Sequence, residues 1–290
     1  MGKANIITIH SFCLDVIRNN FHRIDLDPAF RIADDTEALL LRLEAIDELI
    51  ESKYEPENCT EAFLDLVECY GGSKDDKKLT DLVLTVYEFI QGHPWPEVWL
   101  KDAVEAFNAA EGMDFGDTKW AEILIKSISI ELTGLKCALE SALKKAEREE
   151  GLSAYVNVLR EDSARIEAML NACKGQGGWD SLYEEFKDLE FSRMPRCGKE
   201  TDPAAREEVK GIRDDVKGKL NKLKRELISG SSGELASDLR QLYPLMNSLG
   251  SLVLEFADKY QEKKKQKNVI DFNDLEHYCL KVLTSREVDK

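Results

Sequence analysis

The residues whose types and spacing could do chemistry gather at the two ends of the chain and in one basic stretch between them. Near the start, Thr8-Ile9-His10-Ser11-Phe12-Cys13 follows a β-branched run, Ile6-Ile7-Thr8, that reads as the end of a strand. Ser11 is placed to cap a helix whose apolar positions Phe12, Val16 and Ile17 recur at helical spacing. Such a strand-to-helix turn lets a hydroxyl and an imidazole project from the end of a sheet, although His10 also suits a plain polar turn position. Toward the other end, Asp271 is placed to cap a last helix that opens with Phe272 and carries Leu275, Tyr278, Cys279 and Val282 as apolar positions. Phe272 can stack on a flat ring or be a buried helix-start aromatic. Between the ends, Arg193-Met194-Pro195-Arg196-Cys197-Gly198-Lys199 is basic and proline-broken, which suits either phosphate contact or a solvated connector. No general base, metal cluster or nucleophile constellation accompanies these segments, so catalysis by these residues alone is not expected.

Helical patterns must position them. Asp34 with Glu37 resembles a capping box and opens a helix to about Tyr54, with Ala38, Leu41, Ala45, Leu49 and Ile50 on one face. Thr60 opens a shorter helix through Tyr70, and another runs from about Asp76 to Gln91, stopped by Gly92-His93-Pro94. Pro94 and Pro96 fit the start of the next. Trp95 and Trp99 stand four apart there, as a base-stacking platform or, as large aromatics usually do, as core anchors. His93 reads as a capping side chain. Residues 118–149 form the longest pattern, with Trp120, Leu124, Ile128, Leu135, Leu139 and Ala142 on one face, and 154–174 supply a partner helix. That pair is expected to project as a helical hairpin. Trp179 to Leu189 reads as a short amphipathic helix. Asp202-Pro203 opens a helix to about Ile228, bearing a basic stripe of Lys217, Lys219, Lys222, Lys224 and Arg225. Residues 229–233 read as a plain flexible turn. The helix that follows ends in Lys263-Lys264-Lys265.

Composition narrows the class. A hydrophobic fraction of 43% with 33% charged residues suits a helical globular chain rather than a disordered one. No apolar run approaches the ~18 residues of a membrane span. The seven cysteines are scattered and contain no Cys-x-x-Cys pair, which favours free thiols in a reducing cytoplasm over a metal site. The net charge of −16 opposes phosphate binding. It is uneven, however: acidic residues crowd positions 34–76, and basic ones gather at 193–199, 217–225 and 259–267. With screening over ~8–10 Å, local sign can outweigh the total.

Thr8-Ile9-His10-Ser11-Phe12-Cys13 resembles the single-strand-contacting motif of UvrD-like, superfamily-one DNA helicases, most closely their AddA-type helicase–nuclease subunits. Asn268-Val269-Ile270-Asp271-Phe272-Asn273-Asp274-Leu275 looks like that family's Asp-Phe-x-Asp-Leu element, and 24–28, 30–34 and 93–100 are similar to further stretches of it. The resemblance implies a mainly α fold, the helical insertion (1B arm) subdomain of a superfamily-one helicase with short flanking pieces of a RecA-like core. Residues 1–23 and 268–290 would be those pieces and 24–267 the arm. It implies a DNA-binding arm region of an ATP-dependent DNA helicase/nuclease acting in double-strand-break repair and recombination. It carries single-strand contact to Thr8, His10 and Phe272: threonine and histidine can donate to phosphate oxygens, and Phe272 can stack on an unpaired base. Arg193, Arg196 and Lys199 would meet phosphates.

Neither a Gly-x-x-x-x-Gly-Lys-Ser/Thr loop nor the family's Asp-Glu-x-Gln-Asp segment occurs in the chain. The chain is therefore expected to be an internal piece of a larger enzyme, inactive alone and binding no cofactor, with ATP and magnesium belonging to the full-length protein. Expected partners are single-stranded and duplex DNA and an AddB-like protein, with no membrane, in the cytoplasm. The alternative that charge alone favours is a non-enzymatic acidic helical scaffold that binds a partner protein.

Overall fold

The computed structural model describes residues 7–72, 75–110, 112–175, 178–197 and 201–284. In chain order its elements are α1 (Ile9–Asn20), β1 (Arg31–Ile32), α2 (Asp35–Lys53), α3 (Glu61–Tyr70), α4 (Lys77–Ile90) and α5 (Pro96–Glu105). Then come α6 (Lys119–Arg148), α7 (Ser153–Lys174), α8 (Gly178–Lys187), α9 (Pro203–Glu226), α10 (Ser232–Gln266), β2 (Val269–Ile270) and α11 (Phe272–Thr284). The chain divides into two units, one of Met1–Asn108 with Gln241–Lys290 and one of Ala109–Arg240.

Local sequence explains most of the helix starts. Asp34 accepts the Glu37 N–H at 2.8 Å, Thr60 that of Phe63 at 3.2 Å and Thr118 that of Ala121 at 3.2 Å. Asp202 accepts from both Ala204 and Ala205, at 3.1 and 3.2 Å. Each such bond satisfies one of the donors a helix start leaves unpaired.

In the first unit the inward stripes of α2, α3 and α4 (Leu41, Ala45, Phe63, Leu66, Leu79, Val83 and Tyr87 among them) meet Leu252, Val253, Phe256 and Tyr260 of α10. Tyr87 packs edge-on against Phe256, with centroids 4.9 Å apart. A second cluster joins α1 to α11 through Cys13, Ile17, Ile270, Leu275, Cys279 and Val282. The two short strands pair in parallel, Arg31 with Val269 and Ile32 with Ile270. Each strand runs into an aspartate-capped helix, β1 into Asp34 and α2, β2 into Asp271 and α11.

In the second unit α6 and α7 form the expected antiparallel pair, but α8 packs on α7 and α9 on α6, so the hairpin is half of a helical bundle. Its core takes Leu132, Leu139, Leu159, Ile166, Trp179, Phe186, Val209 and Leu220. Trp120, expected on the inner face, is 42% exposed, and Ala121 is the buried residue there. Residues 229–233 are pinned rather than flexible. Gly230 carbonyl accepts the Trp179 indole N–H at 2.9 Å, Ser232 N–H donates to Asp180 at 2.7 Å, and Ser232 Oγ accepts the Gly116 N–H at 2.7 Å.

The expectation of flanking RecA-like pieces is corrected. Helix dominates, and among the described residues the strands are two of two residues each. Ile6 lies outside the described residues; Ile7 and Thr8 form no strand. Parallel sheets of any size are ordinarily covered by helices on both faces, and a two-stranded pair is marginal by itself. Among the described residues no third strand joins β1 and β2, and α1 and α11 bury their apolar stripes against each other.

The second unit also holds a buried ion pair. Arg213 Nε of α9 donates to Asp162 Oδ2 of α7 at 2.5 Å, and its Nη2 donates to the Ser192 carbonyl at 2.8 Å. Both side chains are nearly inaccessible. Removing one partner strands the other's charge in the core. Asp162→Ala is therefore expected to destabilise this unit by about 3–5 kcal/mol, read by urea unfolding. A smaller loss from Asp162→Ala than from Leu159→Ala, at about 2–5 kcal/mol, would show that water reaches the orphaned guanidinium.

Candidate nucleic-acid interface

The residues singled out at the two ends of the sequence converge. Packing of α1 on α11 through Ile17, Leu275 and Val282 brings the first turns of the two helices side by side. His10 and Phe272 meet there with ring centroids 5.5 Å apart, tilted by 49°. His10 Nε2 lies 3.4 Å from Glu276 Oε1, one turn into α11. Thr8, His10 and Phe272 are all exposed, Phe272 at 47%.

Thr8, not Ser11, caps α1. Its Oγ1 accepts the Ser11 N–H at 3.3 Å and lies 2.9 Å from the Ser11 hydroxyl. The helix thus begins one turn earlier than its apolar pattern implies. Phe12 is 46% exposed, while Cys13 and Ile17 turn inward. Cys13 faces Cys279 across the helix pair; burial, and then that neighbouring thiol, push Cys279 up to about 11. The first turn of α1 contains no acidic residue of its own, so its dipole favours an anion there, with the Glu276 carboxylate of α11 the negative group beside His10.

The position of Phe272 is fixed from beneath by charges. Asp271 and Asp274 cap each other reciprocally: Asp274 N–H donates to Asp271 at 3.0 Å, and Asp271 N–H donates to Asp274 at 2.9 Å. Lys264, at the end of α10, reaches Asp274 at 2.6 and 2.7 Å and Asp271 at 3.4 Å. The Tyr260 hydroxyl donates to Asp271 at 2.9 Å. The Arg42 guanidinium of α2 lies 4.0 Å away, over the Tyr260 ring. Burial alone would raise Asp271, but Lys264, the Asp274 N–H, the tyrosine and Arg42 together hold its carboxyl below the ordinary aspartate range. Asn268, in the left-handed region at φ 51°, makes the bend that aims β2 and Asp271 at this lysine.

This network corrects the reading of 259–267 as a basic surface. Lys263 is buried against Glu48 at 2.6 Å and Glu44 at 3.0 Å, and Lys259 lies 3.3 Å from Glu48. With Lys264, three of the cluster's positive charges are spent internally. The stripe on α9 is partly engaged too: Arg225 pairs with Glu226 at 2.8 Å, and Lys224 is tied down by the Lys187 carbonyl at 2.9 Å.

Arg193 and Arg196 belong to the second unit, on an exposed, irregular segment. Among the described residues no ion pair engages either. Arg213 holds this segment at the Ser192 carbonyl, the Ser192 hydroxyl donates to Glu161 at 3.0 Å, and Met194 and Cys197 pack against the bundle. Lys199 lies outside the described residues.

The two tryptophans separate. Trp95 precedes α5 and is 48% exposed, whereas Trp99 packs against the core and stacks on His93 at 4.2 Å. His93 is a stacking ring rather than a cap, and its carbonyl lies 3.1 Å from His277 Nε2. Glu276 and Lys264 escape a sequence reading, because nothing in a solvated-looking Lys-Lys-Lys run marks one lysine as interior. The Asp271-x-x-Asp274 spacing was the available signal.

The UvrD/REP helicase N-terminal domain family matches residues 1–290. The chain belongs to that family. It is 49% identical over its whole length to the A subunit of an ATP-dependent helicase/nuclease from Acetivibrio thermocellus. It is 43% identical to the like-named protein of Ruminiclostridium cellulolyticum, again over its whole length, and 45% over 99% of its length to that of Clostridium kluyveri. The AddA-type resemblance is thereby shown. The chain spans 23% of the length of each of these relatives. The family match covers the helical majority as well as both ends, so it supplies no boundary at which RecA-like pieces would begin.

Asp271 titrates below its unfolded value, so the stability it contributes is complete above about pH 4 and is lost as pH falls through its folded value. Asp271→Asn is expected to cost about 1.5–3 kcal/mol at neutral pH. The difference from the parent protein should shrink steadily in denaturant titrations carried toward about pH 3. A gap that stays constant across that range would place the stabilisation in the cap hydrogen bonds instead of the charge.

Proposed function

We propose that this chain is the DNA-contacting arm region of an ATP-dependent DNA helicase/nuclease acting in double-strand-break repair and recombination. The observation that carries the reading is the approach of His10 to Phe272 within 5.5 Å, from motifs at opposite ends of the sequence. In this reading the Thr8 hydroxyl and the His10 imidazole donate to phosphate oxygens of a single strand, at the acid-free first turn of α1. Phe272, held upright by the aspartate cap beneath it, stacks on an unpaired base. Arg193 and Arg196, with Lys199, meet duplex phosphates. The name that the longer relatives carry, an ATP-dependent helicase/nuclease, supports the same assignment. An AddB-like protein would be the partner, and the cytoplasm the compartment.

ATP and magnesium are assigned to the full-length protein and not to these residues. No Gly-x-x-x-x-Gly-Lys-Ser/Thr loop is present. At both strand-to-helix turns an aspartate carboxylate, Asp34 or Asp271, accepts one helix-start N–H, from Glu37 and Asp274, and its negative charge disfavours a phosphate beside it. No helix of the described residues is long and apolar enough to cross a membrane.

Two substitutions in the full-length enzyme test this. Phe272→Ala should remove a stacking interaction of about 1–3 kcal/mol from single-strand binding and impair unwinding, leaving ATP affinity unchanged. Charge reversal at Arg193 and Arg196 should weaken duplex binding and flatten its log-log salt slope by roughly 0.9 for each phosphate no longer engaged. Unwinding and binding unaltered at every salt concentration by either change would remove the corresponding residues from the interface. The chain alone, with charge −16, is expected to bind duplex DNA no tighter than about 100 μM.

A further inference from the structure

The first unit carries a groove that the DNA reading does not use. It lies between α2 and α4, encloses about 460 Å³, and has an apolar floor that includes Leu43 and Leu84. Leu43 is 42% exposed, and Leu39, one turn earlier on the same face of α2, is 52% exposed. Neither leucine belongs to the core, whose contacts on α2 come from Ala38, Leu41, Ala45, Ile46, Leu49 and Ile50, the two isoleucines also forming the groove's base. Leu39 lies outside the groove's own lining but continues the Leu43 face. The apolar strip from Leu39 to Ile50 thus follows α2 for about 16 Å, three turns of a helix.

The rim is acidic. Asp47 and Glu51 stand on the α2 side, and Asp75, Asp76 and Asp81 on the α4 side, against a single basic residue, Lys77, among the described residues of the lining. Among the described residues, none of Asp47, Glu51 and Asp81 forms an ion pair. This differs from Glu44 and Glu48 on the other side of the same helix, which are committed to Lys263. Asp76 accepts the Tyr54 hydroxyl at 2.7 Å, and burial followed by that carboxylate pushes the tyrosine up to about 12. Nucleic acid is repelled by such a rim. What complements it is an apolar stripe flanked by positive charge.

We infer that the α2–α4 groove is a docking site for a basic amphipathic helix of a partner protein, about three turns long, seated by its apolar stripe on Leu39, Leu43 and Leu84 and flanked by lysines or arginines facing Asp47, Glu51 and Asp81. This is helix-in-groove recognition, in which spaced apolar anchors supply affinity and the charged rim sets orientation and excludes acidic partners. It is independent of the single-strand assignment, since none of its residues belongs to the His10–Phe272 cluster.

Calorimetry on the full chain tests it with a probe peptide of about 18 residues, leucines at i, i+3, i+4 and i+7 and lysines elsewhere. A scrambled peptide of identical composition and a leucine–glutamate counterpart serve as comparisons. The leucine–lysine probe should bind at least roughly tenfold tighter than its scramble, and the glutamate version should not bind detectably. Asp47→Lys combined with Glu51→Lys should weaken the probe by roughly tenfold, and reversal of the exposed Glu149 and Glu150 should leave it unchanged. Leu43→Lys, at a position already open to solvent, gives an independent variant whose folding does not rest on the rim; it should weaken binding similarly. Equal binding of probe and scramble overturns the proposal, because the attraction is then that of any basic peptide for an acidic chain. So does an equal loss from the Glu149 and Glu150 reversals, or full affinity retained by Leu43→Lys.

Discussion

The first unit depends on one buried cation. Lys264 carries its ammonium into a site closed by Asp271, Asp274 and the Tyr260 ring, 4.4 Å from the nitrogen. Desolvating a lysine and two carboxylates costs several kcal/mol per ion, and only close, well-directed bonds offset it. The chain meets that demand by making the same two carboxylates cap the helix that follows. Each aspartate thus accepts backbone N–H bonds and the lysine together, and Arg42 adds a second positive charge from α2. The end of α10, the parallel β1–β2 pair and the start of α11 are held in one arrangement by a single set of contacts. Phe272 is the residue immediately after that cap, so its exposed ring inherits a fixed direction.

The second unit solves the same problem with Arg213 and Asp162. There the buried pair joins α9 to α7, and the Arg213 Nη2 that lies 3.4 Å from Asp162 Oδ1 also donates to the carbonyl of Ser192. An irregular segment that would otherwise wander is anchored next to Arg193. In both units, then, an interior ion pair stands directly behind exposed residues with a chemistry of their own. Packing by the bundle core explains why the helices associate; the ion pairs explain why the connecting backbone has one conformation.

Charge in this protein is a matter of address. Lysines 259, 263 and 264 read as a basic surface but neutralise Glu44, Glu48, Asp271 and Asp274. What remains outside is more polarised than composition implies: an acidic groove along α2, an acid-free helix start at Thr8, and an arginine-bearing segment at 193–196. Screening over roughly 8–10 Å lets these patches meet different ligands.

The sequence by itself determined the helices and most of their caps. Asp34, Thr60, Thr118, Asp202 and Asp271 all cap as their local spacing dictates, because a cap is a bond between residues two or three apart and needs no tertiary partner. Both end motifs were legible for the same reason, as short runs of defined types. Tertiary structure alone decided which polar residues went inside. A Lys-Lys-Lys run has the same local pattern whether it is solvated or buried, and Lys264 is interior only because Asp271 and Asp274 arrive across the bend at Asn268. It decided that Thr8 rather than Ser11 caps α1, since burial of Cys13 and Ile17 against α11 fixes where that helix must begin. It decided that 229–233 is pinned, through Trp179 and Asp180, which lie far back along the chain. It also decided the fate of the expected RecA-like flanks: strands need neighbours in a sheet, and here the ends of the chain find each other as helices.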